Sequence, residues 1–254
     1  VATDTRLMLD VVYHCSFDDG ELSRDLVKQL LAYARQHCTP SVTILYLRHA
    51  SHVFRCHGSI DESLAVASEA FASAQKLQSF ASMAISAANL GVILMQGGEV
   101  ARAEHWLNLA TSFYSPEGNS IANNNMLSHL TEMAIRRKNI LEAEAHFARS
   151  GPAISTYRSP RSVVRKLAFE ARIALLRGDR LSDSFLNRFM GAFEITKTFT
   201  LQDYHLVALV DALEASGRTE DAKRVARDFI ASSRRDLSPW SADLSETRSR
   251  LSIV

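Results

Sequence analysis

Glycine and proline are scarce in this sequence, with only 10 Gly and 5 Pro among 254 residues. Because loops need these two residues most, the shortage predicts long regular elements joined by short turns and argues against a fold of many strands and hairpins. Cysteine is scarce too, and an odd number, three, fits a reducing compartment better than a disulfide framework. The cytoplasm is therefore the predicted location.

Neither sign of charge dominates, since 29 Lys and Arg are balanced by 28 Asp and Glu. This balance argues against a dedicated nucleic-acid binder and against a membrane-surface protein, because both spread one strong field over their surface. The longest stretch without a formal charge runs from Leu77 to Gly98, but Gln78, Asn89 and Gln96 interrupt it. We interpret it as a buried helix rather than a membrane span.

A turn-like segment recurs along the chain, and most of its copies contain glycine followed by an acidic or hydroxyl residue. The copies are centred on Gly20, Gly58, Gly98, Lys138, Gly178 and Gly217, at spacings of 38, 40, 40, 40 and 39 residues. Each copy separates two apolar helical patterns, so the glycine predicts the end of one helix and the start of the next. The prolines fall between one helix pair and the next, where a helix must stop: Pro40, Pro116, Pro152, Pro160 and Pro239.

This pattern predicts five full helix pairs. Their first helices are expected at about 41–57, 80–96, 120–137, 161–176 and 200–216, and their second helices at 60–77, 99–113, 140–149, 181–194 and 218–233. Another pair precedes them, at about 5–17 and 21–37, and a terminal piece follows near 240–250.

A single helix pair cannot bury its apolar face, so neighbouring pairs must stack. We therefore expect an all-α fold, a right-handed α-solenoid of about six antiparallel helix pairs, and one repeat domain over residues 1–254. An irregularity is expected at the loop-like segment 150–160. Residues 238–254 are expected either to cap the last repeat or to lead into a further domain. The chain opens on Val1 and not on Met, so we expect a fragment of a larger protein.

The repeat centred on Gly98 carries a pattern of small and large residues: Leu90 and Gly91 before the turn, then Ala103, Leu107 and Ala110, closed by Pro116. This pattern resembles a tetratricopeptide (TPR) repeat, in which small residues let two helices approach closely. The period of about 40 exceeds the usual 34, and HEAT and armadillo repeats share the longer period. Longer copies resemble those in sensing regions of multidomain bacterial regulators, such as maltose-regulator-like transcription activators and some cyclic-dinucleotide cyclases.

Catalytic motifs are absent from the sequence: it has no phosphate-binding loop, Rossmann glycine fingerprint, nucleophile elbow or His-Glu-x-x-His helix. Acidic pairs such as Asp61-Glu62 and Glu220-Asp221 follow the predicted turns, where carboxylates favour a helix N-terminus. The basic run Arg136 to Lys138 likewise suits a helix C-terminus better than a nucleic-acid contact. We expect no enzyme activity and no cofactor, although a repeat enzyme with an unrecognised site stays open.

Histidine and cysteine form three adjacent pairs, His14-Cys15, His37-Cys38 and Cys56-His57. Two of these pairs end the first helices of neighbouring repeats, close enough for a shared metal. However, adjacent helix residues point about 100° apart, and the spacing lacks the two-residue gap of familiar zinc sites. Buried cysteines with helix-capping histidines are therefore the preferred interpretation, and no metal is expected.

Polar and basic residues recur at matching distances before the turn glycines. In stacked helix pairs the first helices line the concave wall, so such residues form rows along one groove. The candidate ligand-binding residues are Arg48, His52, Asn89, Asn125, His129, Arg165 and Arg172. Amides can pair with the backbone of an extended peptide, and arginine can bind a carboxylate or phosphate in a forked geometry. The row resembles the clamp by which some TPR domains hold a peptide carboxylate, with histidine at two of its places.

The sequence therefore predicts a non-catalytic scaffold that binds a peptide, a protein segment or a small anionic signal, as the regulatory part of a larger bacterial regulator. It predicts no membrane partner and no direct contact with nucleic acid. The alternative from another class is a structural module that forms homo-oligomers and has no ligand groove.

Overall fold

The computed structural model describes residues 20–113, 121–156, 160–196, 203–232 and 242–251. Within these ranges every regular element is a helix, as the scarcity of glycine and proline predicts. The helices are α1 (Gly20–His37), α2 (Pro40–Cys56), α3 (Ile60–Lys76), α4 (Phe80–Gln96), α5 (Val100–Ser112), α6 (Ile121–Arg136), α7 (Ile140–Thr156), α8 (Pro160–Arg177), α9 (Asp183–Thr196), α10 (Asp203–Ala215), α11 (Thr219–Ser232) and α12 (Ala242–Leu251). The helix predicted at 5–17 lies outside the described residues.

The helices belong to two compact units. The N-terminal unit, residues 1–118 and 234–240, contains α1 to α5, and the C-terminal unit, residues 119–233 and 241–254, contains α6 to α12. In the N-terminal unit each helix packs against the next one along the chain, and α2 also contacts α4. In the C-terminal unit the first helices of successive pairs, α6, α8 and α10, contact one another as well. The predicted pairing of antiparallel helices is confirmed within each unit, whereas one domain over 1–254 stays a prediction.

Residues with a left-handed backbone mark the turn inside the five pairs from α2 to α11, as predicted, and Gln78, with φ 52°, adopts the same conformation between α3 and α4. The φ angles lie between 73° and 81° at Gly58, Gly98, Gly178 and Gly217, a region where L side chains are disfavoured. Lys138 adopts the same conformation, with φ 57°, in the copy that has no glycine. Behind Gly98, the amide of Glu99 donates to the carbonyl of Leu94 at 2.9 Å, and the other four turns make the same bond. These bonds close the first helices as Schellman motifs.

The small-and-large pattern around Gly98 produces a close helix contact. A Cβ atom built on Gly91 of α4 would lie 2.6 Å from Cγ of Leu107 and 3.1 Å from the carbonyl oxygen of Ala103, both in α5. Leu107 and Ala103 are fully buried. The uncharged segment predicted to be a buried helix is α4, and none of the helices in the described part of the chain combines the length and apolar character needed to span a bilayer.

The predicted end of the second helix at 149 is wrong, because α7 continues to Thr156. Gly151 and Pro152 predict a stop, because proline inside a helix removes one amide donor and crowds the preceding turn, yet the helix continues past both residues. Two other prolines match the prediction: Pro40 and Pro160 are the first residues of α2 and α8, where the missing N–H has no helical partner to lose. Pro116 and Pro239 lie outside the described residues.

Candidate functional site

The candidate ligand-binding residues all lie on first helices, namely α2, α4, α6 and α8. Most of them stand 13, 9 or 6 residues before the turn residue of their pair, and Arg48 stands ten before it. Positions 13, 9, 6 and 2 before the turn follow the spacing i, i+4, i+7 and i+11, so they share one side of a helix. We call this side the first-helix face of each unit, formed by α2 and α4 in the N-terminal unit and by α6, α8 and α10 in the C-terminal unit.

On α2, in the N-terminal unit, residues of the first-helix face contact one another within the helix. The guanidinium Nη2 of Arg55 lies 2.7 Å from Nδ1 of His52, and Sγ of Cys56 lies 3.7 Å from Nε2 of the same ring. Because arginine can only donate, Nδ1 accepts and the ring proton is assigned to Nε2, facing the sulfur. Arg48 and His52 are half-buried and both have interaction partners, and Asn89 on α4 is half-buried too.

The structure describes two of the three histidine and cysteine pairs, His37-Cys38 and Cys56-His57. His14 and Cys15 lie outside the described residues, so the expectation that this pair lies close to Cys56 and His57 stays a prediction. Cys38 and Cys56 are free thiols, and Cys56 is 5% exposed. Over the ranges that the structure describes, no three His, Cys, Asp or Glu side chains converge in a way that would hold a metal ion.

The C-terminal unit carries the remaining candidates. Asn125 and His129 lie on α6, where the side chain of Asn125 is outside the described residues and that of His129 is half-buried. Arg165 and Arg172 lie on α8, seven residues apart and therefore on one side of the helix, and both are half-buried. The contacts of Arg172 reach a neighbouring first helix, α10.

Arg172 meets two residues of α10 that the sequence analysis missed. Its Cζ atom lies 5.8 Å from the ring centroid of Tyr204, and its Nη1 atom lies 3.6 Å from Oδ2 of Asp211. Tyr204 and Asp211 stand 13 and 6 residues before Gly217, so the spacing that selected Arg165 and Arg172 would have found them in the fifth pair. Neighbouring first helices thus bring a cation, an aromatic hydroxyl and a carboxylate together.

Asp211 has a second and closer cationic partner on α12. Nη2 of Arg250 donates to Oδ1 of Asp211 at 2.6 Å, and Nε of Arg250 lies 2.8 Å from Oε2 of Glu214. Leu251 and Thr247 of α12 are buried, so the helix is anchored against α10 next to these ion pairs. The terminal helix therefore contributes directly to the charge pattern beside the first-helix face.

Charged groups from two helices, α6 and α8, surround the hydroxyl of Tyr204. Burial is the main cause that raises the pKa of this hydroxyl far above its usual value. The guanidinium groups of Arg172, Arg136 and Arg165 oppose that pKa shift, and the carboxylate of Glu132 adds to it. The hydroxyl thus stays protonated at neutral pH and is a donor within electrostatic reach of three arginines.

The other charged motifs lie at helix ends. Asp61 and Glu62 lie in the first turn of α3, and Glu220 and Asp221 lie in that of α11, as predicted for carboxylates at helix N-termini. Within the basic run, Arg136 pairs with Glu132 at 3.4 Å, and Arg137 pairs with Glu142 at 2.8 Å. These ion pairs favour the helix C-terminus interpretation of the run over a nucleic-acid contact.

Solved structures with the same arrangement of helices define the fold. The apo form of RapI matches with a TM-score of 0.69 and 15% identity, covering 90% of this chain and 82% of that one. A Podosopora anserina protein described as a kinesin light chain with nearly identical TPR-like repeats matches with a TM-score of 0.56 and 14% identity, covering 77% and 97%.

At these identities the similarity shows the fold, which is a TPR-like helical repeat, as the small-and-large pattern predicted. No protein-family model matches the sequence, and no curated protein is significantly similar to it.

Proposed function

We propose that this chain is a non-catalytic scaffold that binds a peptide or protein segment through the first-helix face. The observation that carries the proposal is the contact of Arg172 with Tyr204 and Asp211, because it brings donors and an acceptor from successive repeats together on one side of the first helices. The TPR-like repeat supports it, since stacked helices hold such groups at fixed spacing and less order is lost on binding than with a loop-built site. Resemblance of the longer repeats to sensing regions supports a role as the regulatory part of a larger regulator.

Substituting the asparagines of the first helices tests whether this face binds a peptide. A displayed library of random peptides supplies the probe, and peptides enriched on the chain are synthesised and titrated by calorimetry. We expect the double substitution Asn89→Ala and Asn125→Ala to raise Kd about tenfold or more, because each amide forms hydrogen bonds worth about 0.5–1.5 kcal/mol. Asn108→Ala is the matched control, since Asn108 is exposed on the second helix α5.

An unchanged Kd in the double variant, with an unchanged helical circular dichroism spectrum, would contradict the proposal.

A self-associating module is the second candidate function, and an apolar patch on the N-terminal unit favours it. Phe80 is 65% exposed and lies 6.2 Å from Phe113, ring to ring, near exposed Leu77. A molar mass in light scattering that rises with concentration, with no enriched peptide, would favour this candidate.

A further inference from the structure

Asp211 divides its interactions unequally between two arginines. Arg250 makes a hydrogen bond of 2.6 Å to it and also contacts Glu214, whereas Arg172 stays at 3.6 Å, beyond hydrogen-bond distance. Nη1 of Arg172 is buried and has no hydrogen-bond acceptor among the described residues. Because Asp211 is directed towards Arg250, the charge of Arg172 is only partly compensated.

Tyr204 supplies a second donor at the same place. It is 6% exposed, its ring lies against Arg172, and its buried hydroxyl has no hydrogen-bond partner within the described ranges. An unsatisfied buried hydroxyl is unfavourable, and a buried arginine nitrogen without an acceptor is more so because it carries charge. The guanidinium of Arg172 and the hydroxyl of Tyr204 therefore both need an acceptor, and a negatively charged acceptor would suit both.

The surrounding charges leave the place positive. Around the Tyr204 hydroxyl the guanidinium groups of Arg136, Arg165 and Arg172 act together with one carboxylate, that of Glu132, and the carboxylate of Asp211 lies beside Arg172. Both carboxylates have cationic partners of their own, Arg136 for Glu132 and Arg250 for Asp211. The repulsion that they would exert on an incoming anion is thereby reduced.

We propose that Arg172 and Tyr204 form an oxyanion-binding site on the first-helix face of the C-terminal unit, and that Arg250 keeps this site open by holding Asp211 away from Arg172. The inference deepens the proposed function and rests on it, because the anion would be an acidic group of the bound ligand. A carboxylate and a phosphate share the required chemistry, with two or more oxygens to accept from one guanidinium and one hydroxyl.

Arg250 acts in this scheme as a positioning residue on α12. When α12 moves away from α10, Asp211 loses its closer partner and becomes free to pair with Arg172. The carboxylate of Asp211 then takes the place at Arg172 that the anionic group of the ligand would occupy. Attachment of the terminal helix and occupancy of the site are thus coupled through one carboxylate.

Small anions test the site without any peptide. The full chain is titrated with inorganic phosphate and, separately, with acetate at constant ionic strength, while the Nε–Hε resonances of its arginines are followed by NMR. We expect one resonance, absent from Arg172→Met, to shift and saturate, and the tighter anion identifies the source of the oxyanion. Tyr204→Phe should weaken binding about tenfold, as expected for a lost hydrogen bond to a charged group.

Tyr46→Phe is the matched control for that variant. Tyr46 is 1% exposed, and its hydroxyl also has no hydrogen-bond partner in the described residues, but it lies on α2 in the N-terminal unit. We expect its substitution to leave the anion affinity unchanged. No saturating shift of the Arg172 resonance, or equal effects of the two tyrosine substitutions, would overturn the site.

The role of Arg250 is tested by a double-mutant cycle. Arg250→Met should weaken anion binding about tenfold, because Asp211 then captures Arg172, and Asp211→Asn should strengthen it. In the Asp211→Asn background, Arg250→Met should have no further effect. If Arg250→Met weakens binding equally in both backgrounds, Arg250 does not act through Asp211, and this part of the inference fails. Phosphate or acetate binding with no enriched peptide would sustain the site while contradicting the peptide-binding function.

Discussion

Replacing Gly91 by alanine should lower the free energy of unfolding by about 1–3 kcal/mol, the usual cost of overpacking a core. The added Cβ would lie 2.6 Å from Cγ and 2.8 Å from Cδ2 of Leu107. Leu107 is fully buried, so its side chain has no free space to move into. Urea unfolding followed by helical circular dichroism measures the loss.

Gly191→Ala is the matched control for this substitution. Gly191 lies in the helix α9, is exposed, and would place its new Cβ with no atom within 4 Å. It therefore reports only the better helix propensity of alanine, which should stabilise the chain by up to about 1 kcal/mol. Adding Leu107→Ala to Gly91→Ala should cost less than the two single effects together, because the smaller side chain makes room for the new methyl group. Gly91→Ala with the same effect as Gly191→Ala would contradict the close contact.

Replacing Phe169 by alanine should be the most destabilising single change, by about 3–5 kcal/mol. Phe169 of α8 is 2% exposed. Its ring centroid lies 5.9 Å from that of Phe147 on α7 and 5.6 Å from that of Tyr204 on α10. Truncation therefore removes aromatic contacts to two neighbouring helices and leaves a cavity between them.

The same unfolding measurement separates this loss from a nonspecific effect. Phe169→Leu, which keeps most of the apolar volume, should cost clearly less than Phe169→Ala. Ile195→Ala on α9 removes a side chain that is 65% exposed and should change the free energy of unfolding by less than about 0.5 kcal/mol. Similar losses for Phe169→Ala and Ile195→Ala would contradict the packing described for the C-terminal unit.

The helix boundaries were predictable because they depend on local backbone chemistry. Glycine tolerates the left-handed conformation that ends a helix, so Gly58, Gly98, Gly178 and Gly217 mark the turns by themselves. The period then located the turn at Lys138, where the residue type gives no such signal. The same reasoning failed at Gly151 and Pro152, since two residues that often end helices lie within α7.

The candidate site was predictable in its helices but not in its contacts. Arg172 and Asp211 are 39 residues apart, as are Asp211 and Arg250, so their pairing depends on how helices pack and not on local spacing. Tyr204 and Asp211 were missed because the candidates were taken from the first helices of the first four pairs, and the same spacing before the turn residue was not applied to the fifth pair. By contrast, Arg55 and Cys56 lie three and four residues after His52, a helical spacing that could have predicted that cluster.

The central claim is that a residue with a left-handed backbone ends the first helix of a pair about every 40 residues, even where that residue is not glycine. The free energy of unfolding in urea of Lys138→Gly and of Gly98→Ala tests it most directly. Lys138→Gly should raise that free energy by up to about 1 kcal/mol, because it relieves a strained backbone at φ 57°. Gly98→Ala should lower it by about 1 kcal/mol through the backbone alone, since a Cβ there meets no atom within 4 Å. A destabilised Lys138→Gly together with an unaffected Gly98→Ala would contradict the repeat.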